Sequence, residues 1–227
     1  MNWNKRIWSW KELTLLLGLV FIVVPIIIEY LFKKELNAIL QNDLYAGTLT
    51  GLVMAILFTV GVYVVALRPN HLPWTEVGLK TFPQKAWITI AWLTLLLIIM
   101  SIIAVIVMEL LGIGTSNQKT ESLQSRLTFM NFMIGFISAS IVSPVYEEIF
   151  YRGFLYRWFR RWGIFNATLI SSLLFTLAHL PTYNTLLVNF ISGIILCWAY
   201  EKTGSVVPGM IIHGVFNGIA IVLAALA

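Results

Sequence analysis

The stretch SPVYEEIFYRGF, residues 143–154, sets Glu147, Glu148 and Arg152 into a chain of which only 11% is charged and 59% hydrophobic. On a helix Glu148 and Arg152 share a face, at the spacing where a carboxylate and a guanidinium pair. Glu147 points about 100° away, so that pair leaves it without a partner in its own segment. Two other stretches hold complementary chemistry. SSLLFTLAHLP, residues 171–181, places Phe175 one turn before His179, and VPGMIIHGVFNG, residues 207–218, carries His213 and Asn217 on one helix face. A carboxylate beside an imidazole can hold a water and take its proton, while a second imidazole and an amide donate hydrogen bonds to an oxygen gaining charge. Those are the parts of an amide hydrolase whose nucleophile is water; no serine, cysteine or lysine is marked by position for that role. Glu147, His179 and His213 are also acceptable zinc ligands, although HExxH is absent. The preferred reading requires no cofactor, and zinc remains an alternative.

The elements that must position these residues are membrane helices. A mean hydropathy of +0.87 over 227 residues is more apolar surface than a water-soluble globule can hide. Apolar runs long enough to cross the hydrocarbon core predict an all-α, multi-pass bundle, a single transmembrane domain over residues 1–227. About seven spans are expected, at roughly 12–32, 44–67, 86–108, 129–156, 164–180, 184–200 and 205–226. The first follows the basic start MNWNKRIWSWK and reads as a retained anchor, being too long for a signal peptide's apolar core. An ionisable side chain at bilayer depth costs at least about 2.5 kcal/mol. Glu147 lies about ten residues from Arg157, hence roughly 15 Å below the inner surface. Glu12, Glu29, Glu35, Glu109 and Glu201 are instead placed near span ends, where a carboxylate reaches headgroups.

Seven spans put the termini on opposite sides. Lys5, Arg6, Lys11, Arg68, Lys80, Lys85, Arg152, Arg157, Arg160, Arg161 and Lys202 are then assigned to one side, against Lys33, Lys34, Lys119 and Arg126 on the other. That excess makes the N-terminus cytoplasmic and the C-terminus external. The loop from Arg68 to Lys85 should lie along the inner headgroups, and Gly112 to Arg126 reads as an outer loop. Gly47 and Gly51 form a GxxxG that would permit close helix contact. The net charge of +5 is spread over loops rather than gathered in a patch, so no nucleic-acid partner is expected. The single cysteine, Cys197, allows neither an intrachain disulfide nor a thiolate cluster.

The motifs EExxxR (Glu147, Glu148, Arg152), FxxxH (Phe175, His179) and HxxxN (His213, Asn217), in that order on membrane helices, resemble those of the CAAX protease and bacteriocin-processing (CPBP, Abi) family of intramembrane endopeptidases. The resemblance runs from Phe129 to the C-terminus, making residues 129–227 the catalytic core. It implies a catalytic cavity inside the membrane, a membrane-embedded or membrane-associated protein or peptide as substrate, and water activated by Glu147 and His179. His213 and Asn217 would form the oxyanion site, with Glu148 and Arg152 in support. Non-catalytic bacteriocin immunity or regulation by binding is the alternative. A proton or ion relay has less support, since no repeated halves are present.

Overall fold

In the computed structural model the described residues are Trp3, 7–114 and 128–226. The greater part of the predicted outer loop after Ile113 therefore lies outside the described residues, as do Lys5, Arg6, Lys119 and Arg126. Among the described residues six helices are long and apolar enough to cross a membrane: α1 (Trp10–Leu40), α2 (Asp43–Asn70), α3 (Ala86–Leu110), α4 (Phe129–Trp162), α6 (Tyr183–Thr203) and α7 (Val207–Leu226). Between them α5 (Ile164–Leu177) is apolar but short, about 21 Å at 1.5 Å per residue. It forms a hairpin with α6. The all-α, multi-pass expectation holds, with no strand among the described residues. Residues with no water to bond must satisfy their backbone internally, and helices do so.

The helix ends follow their local chemistry. Ser9 caps α1 in a capping box with Glu12. Asn42 accepts from the backbone of Leu44 and Tyr45 to begin α2. Gly204, at φ 64°, ends α6 in the left-handed conformation that only glycine adopts without strain. Two spans run further than sequence spacing indicates. α1 continues past Phe32 to Leu40, and α4 past Tyr156 to Trp162. The polar residues Lys33 to Asn37 extend α1 in regular α winding, so the helix outlasts its apolar run.

α4 is the central element. From Tyr146 to Phe159 every residue is buried, whereas α3 turns Ile88, Trp92, Ile102, Ile103 and Ile106 outward, as lipid-facing side chains do. α4 also changes winding: Ser138–Val142 and Ile149–Tyr156 are π-helical, with an α-helical turn, Ser143–Glu148, between them. Such widened turns recur at functional sites because they rotate side chains off the regular pattern. α7 comes unusually close to this segment. A Cβ on Gly214 would collide with the Ser140 carbonyl oxygen, and one on Gly209 would stand 2.7 Å from Glu148 Oε2. The pair Gly47 and Gly51 makes no comparable approach: a Cβ on Gly47 would meet nothing within 4 Å, and one on Gly51 would have Ser138 Oγ at 3.8 Å.

One end of the bundle is tied by polar groups. The turn Trp74–Val77 lies against α4, where Glu76 pairs with Arg157. Val206 N–H donates to Gly78 O at 2.9 Å and Ser205 Oγ to Lys80 O at 2.6 Å. Trp158 Nε1 donates to Ser9 O at 3.0 Å, and Arg161 Cζ stands 3.3 Å from the Trp158 ring centre. The start of α1 and the ends of α2 and α4 thus share this end, as alternating spans require. An Arg and Trp belt suits the headgroup region.

Candidate active site

Arg152 anchors the site. Its Nη1 is 2.7 Å from Glu148 Oε1, its Nη2 donates to Gly193 O of α6 at 3.3 Å, and its Cζ sits 4.6 Å over the Phe175 ring of α5. Arg152 and Glu148 are both 1% exposed or less. A lone charge at this depth would cost several kcal/mol, and the pairing read from the i, i+4 spacing removes that cost. It also ties three helices together.

His213 of α7 enters between the two glutamates. Its Nδ1 is 3.3 Å from Glu148 Oε1 and its Nε2 is 3.9 Å from Glu147 Oε2. Glu148, paired with Arg152, is a carboxylate and can only accept, so His213 Nδ1 carries a hydrogen and Nε2 is turned toward Glu147. At 3.9 Å that nitrogen and oxygen are too far apart for a direct hydrogen bond but close enough to share one small polar group. Glu147 is not left to itself within its segment, as helix spacing alone implied. Ser143, one turn earlier, donates its hydroxyl to Glu147 Oε1, which aims Oε2 at His213.

His179 follows the end of α5. Its Nδ1 is 2.8 Å from Phe175 O. A carbonyl cannot donate, so Nδ1 again carries a hydrogen. The Phe175 ring meets both imidazoles edge-on, with centroids 4.7 Å from His179 and 5.9 Å from His213. Asn217, one turn beyond His213, donates Nδ2 to Ala139 O at 2.9 Å. This binds α7 to the π-wound part of α4. The structure therefore gathers Glu147, Glu148, Arg152 and His213 in direct succession, with His179 against Phe175 and Asn217 holding the helices at their junction.

Two residues escaped sequence reasoning. Ser143 carried no signal beyond being a hydroxyl four residues before Glu147. Tyr151, buried and four residues after Glu147, reads as one more aromatic core position. Glu29, expected near a span end, is exposed where the apolar run of α1 closes before Lys33 and Lys34.

The zinc alternative requires Glu147, His179 and His213 to converge. Among the described residues no three His, Cys, Asp or Glu side chains gather closely enough to hold a metal ion, and His213 directs Nδ1 at the Arg152-bound carboxylate.

Residues 129–219 match the family model described as type II CAAX prenyl endopeptidase Rce1-like. The match covers α4 to most of α7 and includes every residue of the cluster just described; α1 to α3 lie outside it. No curated protein and no solved structure matches the chain.

Proposed function

From the premise that residues 129–219 belong to the Rce1-like CAAX endopeptidase family, we propose that this multi-pass membrane protein is an intramembrane endopeptidase. It hydrolyses a peptide bond of a membrane-embedded or membrane-associated protein or peptide. The observation that carries the reading is the approach of His213 Nε2 to Glu147 Oε2 inside a buried cluster drawn from different helices. One water held there, within reach of the His179 side of the site, loses a proton to Glu147 as its oxygen attacks the substrate carbonyl. The proton then passes to the departing amine, so that Glu147 ends as it began. Glu148 and Arg152 fix His213 in one orientation, a positioning role. Low dielectric around the cluster strengthens each of these interactions. The N-terminus and the Arg and Trp belt face the cytoplasm, and the C-terminus faces outward.

The test compares membrane-protein termini between cells carrying the intact chain and cells carrying Glu147→Gln. A terminus generated only with the intact chain is the expected result. Identical termini in both would remove the hydrolase reading. A protective or regulatory phenotype that survives Glu147→Gln and His179→Ala would favour a protein that acts by binding.

A further inference from the structure

We propose that the Tyr151 hydroxyl is a further catalytic group, donating a hydrogen bond to the carbonyl oxygen of the scissile peptide as that oxygen becomes negative. The inference rests on the hydrolase reading and deepens it, because the donors in the motifs are already directed elsewhere. His179 Nδ1 donates to Phe175 O and His213 Nδ1 to Glu148 Oε1, so both of these ring donors are already engaged. Asn217 uses one of its two amide N–H groups on Ala139 O. A site that must stabilise an oxyanion needs donors already aimed at it.

Tyr151 supplies one. It follows Glu147 by four residues, as Arg152 follows Glu148, so both glutamates have a partner position one turn on along α4. Its ring is 1% exposed and packs edge-on to Phe175 at 5.0 Å and to Phe150 at 4.9 Å. Phe175 is the ring that both histidines contact. The Tyr151 hydroxyl makes no hydrogen bond among the described residues. Glu147 is the charge that acts on it most, followed by Tyr146, Arg152 and Glu29. Other buried tyrosines differ: Tyr156 donates to Glu201 at 2.7 Å, and Tyr146, whose hydroxyl is 3.4 Å from Ser143 Oγ, can donate to it because the Ser143 hydrogen is given to Glu147. Phenylalanine would fill the same ring space at 151 without the cost of burying an unpaired hydroxyl. The hydroxyl therefore needs a use that packing does not supply.

The experiment uses the full chain reconstituted in lipid and a synthetic peptide spanning the cleaved terminus identified with the intact protein. Tyr151→Phe should lower kcat about 100-fold, the loss typical of one oxyanion donor, with KM little changed and the thermal midpoint unchanged or raised. Turnover within twofold of the intact chain, while Glu147→Gln is inactive, would overturn this inference and leave the hydrolase reading standing. Loss of folding or a lowered midpoint in Tyr151→Phe would make the hydroxyl structural and overturn it equally. Undiminished cleavage by Glu147→Gln would overturn both.

Discussion

Two polar regions of the molecule use the same side chains to different ends. At the belt, Glu201 accepts from Arg160 Nε at 3.0 Å, from Arg160 Nη2 at 2.8 Å and from the Tyr156 hydroxyl. The Arg160 and Glu201 side chains remain 15% and 17% exposed. In the membrane centre a single oxygen, Glu148 Oε1, receives both Arg152 and His213, and both members of the ion pair are sealed from solvent. Belt charges can exchange a protein partner for water or a headgroup, so the fold loses little when one is removed. The central charges have no such substitute. What separates the regions is the alternative open to each group when its partner is lost.

The sharpest break between them should come from function. Glu147→Gln keeps the size and the Ser143 contact but removes the base, and cleavage should fall by 10³-fold or more, the upper range of general-base catalysis. Folding, read by thermal denaturation in detergent, should be retained. The water-nucleophile reading sharpens the same comparison at Ser143. Ser143→Ala should cost about tenfold in turnover by loosening the Glu147 rotamer, since a mispositioned base loses effectiveness without being lost. Inactivity as complete as that of Glu147→Gln would make Ser143 the nucleophile instead.

Stability should separate the regions next. Glu148→Ala leaves Arg152 buried without its carboxylate and is expected to destabilise by about 3–5 kcal/mol, with activity lost as His213 is released. Glu201→Gln at the belt should cost about 1 kcal/mol or less and leave turnover intact. Equal losses of thermal midpoint in the two variants would end the distinction drawn here.

Much of this was legible in the sequence because membrane helices offer few alternatives. Apolar runs marked the spans, and pairing at i, i+4 marked Glu148 with Arg152 before any coordinates. Separation along one helix is fixed geometry, and the sequence carries it directly. Relations between helices were legible only as a set of candidates. That His213 directs one nitrogen at each glutamate depends on how α7 is rotated and how closely it lies on α4, which small residues at 209 and 214 decide by what they leave out. Asn217 was read as a donor to substrate from its place in HxxxN; its bond to Ala139 O shows that the same amide also holds two helices together.

Glycines give the comparison its finest test, because adding one methyl group probes space without changing charge. At Gly209 a Cβ would press on Glu148 Oε2 at 2.7 Å and on its Cδ at 3.3 Å. That carboxylate is held by Arg152 and His213 and cannot yield freely. Gly209→Ala should therefore cost about 1–3 kcal/mol, the range for overpacking a filled site, and reduce turnover by displacing Glu148. Gly47→Ala meets nothing within 4 Å, and in a helix interior it should be neutral or add up to about 1 kcal/mol. The two variants differ by the same methyl group on the same helical backbone, so measured side by side they report only what surrounds it. A Gly209→Ala protein as stable and active as Gly47→Ala would mean that Glu148 can move aside, and the tight seating of α7 on α4 would no longer explain how His213 is aimed.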